Sequence, residues 1–410
     1  MVASKIKFII FTGAAAVALS ASLQPAQATN GQLPACIGTY KCGMGGAGMT
    51  IASDPTAAAV NPALAARMGN EAILSVGVFK ADVERSLTGT FANTTGGRQK
   101  SKADTFANGS LGVNYRLDDK KAVNISLYPG AGGSTNWLNA RTGAGVGGGA
   151  TDGTDTNITY RMFNLQSAFA YTPNPSTAVG AGVVLSRQTM KTNSLDNTFG
   201  RDENLGKTQT SYGIGFQFGA VHDINDKLTV AVDVHTKIWH QEFAGLKSVF
   251  NSAVDRPATL AAGTDYKISP ETQVALDVKF VLENGVKTIE TEPAAEGGFG
   301  WKNIPILMLG VQHKVTNDLQ VRAGYNYGKS PIDSEHVFAN VLYPAIVEHH
   351  FTGGLNYAVT DSMEFGWSAY WTPRAKKIDS GQGDSFSSSN AGSTLWHQQY
   401  GTQVSLKYKF

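Results

Sequence analysis

The final eleven residues, Tyr400 to Phe410, restrict the fold more than any other stretch. Tyr400, Thr402, Val404, Leu406, Tyr408 and Phe410 share one face of a strand, and Gly401, Gln403, Ser405, Lys407 and Lys409 share the other. One face is apolar and aromatic, and the other is polar and cationic. In a soluble sandwich the apolar face would meet a core. In a transmembrane barrel it meets lipid while the polar face lines a lumen. A chain that closes on such a strand with a terminal Phe predicts the barrel.

The beginning of the chain fits export. Lys5 and Lys7 precede an apolar, Ala-rich stretch from Phe8 to about Leu23, and Ala26-Gln27-Ala28 has the form of a signal-peptidase site. We therefore expect a signal peptide over 1–28 and a mature chain from Thr29. No later run approaches the ~18 apolar residues of a spanning helix. Mean hydropathy is slightly negative at −0.16, as expected where apolar and polar residues alternate. A net charge of +2 offers nucleic acid no basic footprint. Both cysteines, Cys36 and Cys42, follow the expected cleavage site, and an oxidising compartment predicts a disulfide between them. Leu33-Pro34-Ala35-Cys36 faintly resembles a lipid-attachment site, but Cys36 lies too far beyond the apolar run.

From residue 71 onward, fourteen segments have strand character: 71–85, 108–117, 120–128, 160–172, 176–189, 211–222, 226–243, 258–268, 271–284, 303–315, 318–328, 347–359, 362–375 and 397–410. Asp-, Asn-, Pro- and Ser-rich short turns follow the even-numbered segments, and long loops follow the odd ones. Outer-membrane barrels have short periplasmic turns, long outer loops and an even strand number. The reading is all-β: a fourteen-stranded antiparallel transmembrane β-barrel over 71–410, with both termini in the periplasm. Residues 29–70 are small, Ala- and Gly-rich and nearly uncharged, which suits a packed insert more than a solvated linker. We expect them to fold back into the lumen as a plug.

Two motifs then resemble a known family. Gly43-Met44-Gly45-Gly46-Ala47-Gly48, followed by Asp54-Pro55-Thr56-Ala57-Ala58 and Asn61-Pro62-Ala63-Leu64, resembles the N-terminal hatch of the FadL and toluene-transporter family. Val321-Arg322-Ala323-Gly324-Tyr325, with Ser330-Pro331-Ile332-Asp333, resembles a late strand of the same family. The resemblance implies outer-membrane transport of hydrophobic compounds, foremost long-chain fatty acids, with Gly45, Gly46, Asn61, Pro62 and Ala63 in the hatch. An aromatic-hydrocarbon channel and a porin-like or structural barrel remain as alternatives. It also implies an inward kink in the third strand that opens the wall sideways, so a ligand leaves into lipid. Tyr128-Pro129-Gly130 is the candidate kink, because Pro removes a ladder donor and Gly loosens the strand. Simple termination of the strand is the alternative.

The inner wall supplies the ligand candidates. Ile73, Phe79, Val184, Ile306 and Met308 are expected to face inward, and Phe79, Ile306 and Met308 are candidate apolar contacts. Arg116, Lys237, Lys279 and Arg322 could hold a carboxylate, or pair with Asp233 and Asp277. Gly43, Gly45 and Gly48 match a dinucleotide fingerprint but lack its strand-to-helix setting. No hydrolase or metalloprotease motif is present, and His349 and His350 are adjacent on a strand and face opposite ways. We expect no enzyme activity, catalytic residue, metal or cofactor. The expected partners are a hydrophobic small molecule, outer-membrane lipid and, through the C-terminal strand, the barrel-assembly machinery. The protein is expected to be a monomer.

Overall fold

In the computed structural model the described residues are 29–89, 97–138, 155–192, 206–246, 250 and 252–410. The expected signal segment and the Gly143 to Gly149 stretch lie outside them. Fourteen long antiparallel strands close into one barrel. They are β1 (Glu71–Ser86), β2 (Thr105–Arg116), β3 (Lys121–Trp137), β4 (Thr156–Asn174), β5 (Thr177–Thr192), β6 (Gln209–Asp223) and β7 (Leu228–His235). The second half is β8 (Ala258–Lys267), β9 (Thr272–Leu282), β10 (Ile304–Lys314), β11 (Leu319–Gly328), β12 (His349–Ala358), β13 (Met363–Trp371) and β14 (Thr394–Lys409). The short pieces Gln99–Lys100, Trp239–His240 and Ala375–Ile378 extend the wall. β14 pairs with β1 over its whole length, from Thr394↔Ser86 to Lys409↔Glu71. Closure pairs the first strand with the last, so neither end of the sheet is left as a free edge strand.

The alternation read in the sequence decides the faces. Val404, Leu406 and Tyr408 on β14, and Leu74, Val76 and Val78 on β1, are exposed on the outer surface. Gln403, Ser405 and Lys407 are buried inside. Asp277 is inward on β9, while Leu276, Val278 and Phe280 are outward. The second residue of β10, Pro305, pairs with Phe280 near the strand's start, where a missing donor disturbs little. Two segments depart from expectation. The run read as 226–243 stops at His235, because the Thr236 hydroxyl takes up the Phe216 amide and donates to the Lys237 carbonyl. The chain re-pairs at Trp239↔Ile214 with its alternation shifted, so Ile238, four residues beyond outward Val234, is fully buried. The strand read as 120–128 runs instead to Trp137.

Residues 30–68 are largely buried and enclosed by the barrel. They comprise a hairpin pairing Thr29–Asn30 with Leu33–Pro34, a helix α1 (Gly38–Gly43), and two 3-10 turns over 55–59 and 62–67. Small residues allow this: Ala57, Ala58, Ala63, Leu64 and Ala65 pack against Ala122, Ala170, Ala178 and Val221 of the wall.

The long loops 283–303 and 329–348 are joined by His336. Its Nδ1 lies 2.7 Å from Asp333 and its Nε2 2.9 Å from Glu292. Asp333, followed by Glu292, raises the imidazole to about 9 against the cost of burial. A raised folded pKa contributes fully below the unfolded value of ~6.5 and is lost as pH rises through about 9. Screening of half-exposed Glu292 leaves a contribution of about 1–2 kcal/mol. Protection factors at the amides of these loops, corrected for the intrinsic base catalysis of exchange, should therefore fall between pH 6.5 and 9, and His336→Gln should abolish that fall. Protection factors that stay constant over this range in the unsubstituted protein would contradict the latch.

Candidate functional site

The Asn61-Pro62-Ala63 motif has a local cause. Asn61 caps the second 3-10 turn by accepting from the Ala63 amide at 3.1 Å, and Pro62 occupies the first turn, where no donor is needed. The Asn61 Nδ2 donates to the adjacent wall, to the Val232 carbonyl at 3.2 Å and the Ala220 carbonyl at 3.4 Å. The wall clears space at Gly180, where a Cβ would sit 2.5 Å from the Ala63 nitrogen. Gly45 and Gly46 both have positive φ, and a Cβ on Gly45 would meet the Tyr325 backbone at 2.8 Å. Gly45 therefore lets the enclosed segment lie directly against β11, and Gly46 lets it turn past the Ala35 carbonyl. Cys36 and Cys42 are joined by a disulfide that brackets the start of α1.

The wall itself is broken between β2 and β3. β3 pairs with β2 only from Ala122↔Arg116 to Leu127↔Leu111. Extending that register would set Gly109 opposite Pro129, which has no N–H to give. Residues Thr105 to Ser110 thus pair with β1 but have no ladder partner in β3. Contact resumes only at the rim, where the Lys102 amide donates to the Asn136 carbonyl at 2.8 Å. On its other side β3 stays paired with β4 throughout, with the register shifting between Pro129 and Ala131. Gly130 is the extra residue of a bulge. Before it Asn124, Ser126 and Tyr128 face inward; after it Thr135 and Trp137 do. Pairing therefore fails at Pro129 on the β2 side alone, and strand termination is excluded as the explanation.

Two cavities lie inside this break. One, of about 40 Å³, is lined by Phe79, Phe106, Gly132, Gly133, Tyr343 and neighbours. Phe79 and Phe106 stack with ring centroids 5.0 Å apart. A second, of about 50 Å³, is bordered by Tyr128, Pro129 and Gly130, by Ile306 and Met308, and by Asp233, His235, Arg256, Asp277 and Lys279. The hairpin gives Gly31 to the first and Leu33 and Pro34 to the second.

Of the four cations expected to face a ligand, the structure brings only Lys279 to a chamber. Its ammonium makes no hydrogen bond or ion pair among the described residues. The other three are otherwise engaged, and none pairs with Asp233 or Asp277. Arg116 donates to the Ala66 carbonyl at 3.0 Å and the Asp119 carbonyl at 2.5 Å. Lys237 pairs with Asp255 at 3.1 Å. Arg322 bonds Asn356 and lies 3.9 Å over the Tyr40 ring beneath the enclosed segment. Asp277 accepts from the Met49 amide at 2.9 Å, and Asp233 from Gln217 at 2.8 Å.

Arg256 was not foreseen. It precedes β8 beside Pro257, in a loop with no periodicity to assign it a face, and only the closed barrel brings it beside Lys279. Among the described residues its guanidinium makes one hydrogen bond, a long 3.4 Å contact to the Pro257 carbonyl; its Nε has no partner, and burial lowers its pKa. His235 Nε2 on the same chamber is also unpartnered. Leaving a buried polar group unmatched costs ~1–3 kcal/mol, so the chamber is preset for a polar head beside an apolar wall.

Solved structures share this architecture. The Pseudomonas putida toluene transporter TodX superposes with a TM-score of 0.68 at 17% identity, covering 92% of this chain and 99% of that one. A Pseudomonas aeruginosa FadL homologue gives 0.68 at 14% identity, with 93% and 100% covered. The Ralstonia pickettii toluene transporter TbuX gives 0.66 at 15% identity, with 92% and 99% covered. No curated protein sequence matches. Residues 20–276 match the family described as outer membrane protein transport protein (OMPP1/FadL/TodX). With that match over more than half its length, the chain belongs to the FadL/TodX family of outer-membrane transport proteins.

Proposed function

We propose that this outer-membrane transporter carries long-chain fatty acids, binding them in the lumen and releasing them sideways into the membrane between β2 and β3. The observation that carries the reading is the one-sided loss of pairing at Pro129, directly beside the chamber of Lys279, Arg256, Ile306 and Met308. Two unpaired cations against an apolar wall suit a carboxylate with a hydrocarbon tail. Residues 1–28 act as a signal peptide, and residues 29–70 act as the hatch. Both termini lie in the periplasm, and the C-terminal strand addresses the chain to the assembly machinery as a monomer. The described cavities are too small for such a ligand, so binding displaces part of the hatch, beginning with the 29–34 hairpin between them.

The toluene transporters among the structural relatives favour a second reading, uptake of aromatic hydrocarbons. Lys279→Met and Arg256→Met separate the two. Removing a charge-assisted contact costs ~1.5–3 kcal/mol, so each should weaken fatty-acid binding about tenfold or more. Toluene binding should not fall. Equal fatty-acid affinity in both variants would remove the carboxylate role, and toluene binding without fatty-acid binding would select the hydrocarbon reading.

A further inference from the structure

The outward wall changes character at the end opposite the short turns, where β13, β14 and β1 meet. Cross-strand register sets Trp371 beside Tyr400, and Tyr400 beside Lys80. Towards the middle of the wall this surface is apolar, with Trp367, Val404 and Val76 exposed. Towards the rim it becomes charged. Lys376, Trp396, Glu84 and Lys100 form one row across neighbouring strands. The Arg98 guanidinium lies 4.0 Å over the Trp396 ring, and the Lys376 ammonium 5.8 Å from it. Arg374 reaches Glu84 at 2.7 Å, and Lys100 reaches Asp82 at 2.6 Å.

The charges on this patch do not balance. Lys80, Arg98, Lys100, Arg374, Lys376 and Lys377 face four carboxylates, those of Asp82, Glu84, Asp104 and Glu348. Lys376 has no carboxylate at ion-pair distance among the described residues; its neighbour is the indole.

Beside the row the wall is open again. β13 ends at Trp371, Pro373 can donate nothing, and Ala375–Ile378 pair only with β14. The edge facing β12 therefore has no ladder partner. A cavity of about 200 Å³ occupies that place, lined by Glu348, His349, Arg374, Lys376 and Lys377 with Pro373. It is larger than either chamber in the lumen and lies in this gap of the wall, between exposed Lys376 and buried Ile346.

We propose that this patch and cavity bind the phosphate-bearing headgroup of a glycolipid of the outer leaflet. With the short turns in the periplasm, the cavity lies just beyond the Trp371 and Tyr400 belt, the plane in which headgroups replace acyl chains. Arg and Lys supply charge-assisted bonds to phosphate, and half-buried Trp396 holds the Arg98 guanidinium in place over its ring. The acyl chains of the same lipid would run down the apolar strip below. The site is separate from the lumen and does not depend on which compound is transported.

The test is native mass spectrometry of the full-length protein, extracted in mild detergent and supplied with phosphorylated glycolipid. The intact protein should retain this lipid in preference to its dephosphorylated form, and equimolar inorganic phosphate should not displace it. Arg98→Gln/Arg374→Gln/Lys376→Gln should lower retention about tenfold or more while keeping the heat-modifiable gel mobility of a folded barrel. If the triple variant does not fold, Lys376→Glu, at a residue with no ion pair to lose, serves the same purpose. Equal retention by the folded variant, equal retention of the dephosphorylated lipid, or displacement by free phosphate would each overturn the proposal.

Discussion

Deleting residues 29–70 is expected to turn a nearly non-conducting barrel into an open pore. A closed barrel of fourteen strands approaches the 16–18-stranded porins, whose lumens are aqueous channels, and is much wider than eight-stranded barrels filled by side chains. Here that width is occupied by the enclosed segment, leaving lumen cavities of only about 40 and 50 Å³. The wall would survive its removal. Strand pairing is independent of the segment, and the inward groups that hold it are polar enough to accept water instead. Gln166 donates to the Ala58 carbonyl at 3.0 Å, Asn114 to the Ala65 carbonyl at 3.1 Å, and Lys407 to the Ser53 carbonyl at 3.0 Å. Single-channel conductance should rise about tenfold or more over that of the intact protein. Unchanged conductance from a correctly folded deletion variant would show that residues 29–70 do not block the pore.

The barrel was legible because its evidence is periodic and repeated. The alternation at Tyr400 to Phe410 and the short turns after every second strand say the same thing. Where the alternation slips, sequence reading slipped with it. Thr236 interrupts the ladder through its own hydroxyl, and nothing in the composition of 226–243 announces that Ile238 will turn inward. Pro129 was readable as a missing donor. Which neighbour would lose its partner depends on three strands together. The lumen was the least legible part, because inward position alone does not say what a cation touches. Arg116, Lys237, Lys279 and Arg322 all fell on or beside predicted strands, yet three of them are engaged by carbonyls, Asp255 or a tyrosine ring. Arg256 joined the chamber from a loop, where no periodicity marks a face.

The wall opening leads to the sharpest expected loss. Exposing a fatty-acid chain to water costs roughly 0.8 kcal/mol for each CH₂, so a chain of about sixteen carbons would pay more than 10 kcal/mol to leave through the polar rim at the short turns. A route between β2 and β3 avoids that exposure. Sealing it requires restoring the ladder without disturbing the lumen. Placing valine at both 129 and 130 would fail, because a Cβ on Gly130 would lie 2.6 Å from the buried Asn164 amide. Deleting Gly130 removes the bulge while leaving Tyr128 and Thr135 facing inward, since the extra residue is what shifts the alternation. Pro129→Val then supplies the donor that Gly109 lacks. The combined variant, Pro129→Val with Gly130 deleted, should fold, reach the outer membrane and lose uptake of hydrophobic substrates. It should still bind them, because Lys279, Arg256, Ile306 and Met308 belong to other segments. Loss of uptake with binding retained is the signature of a closed exit. Normal uptake of fatty acid and toluene by the folded variant would place the exit elsewhere in the wall.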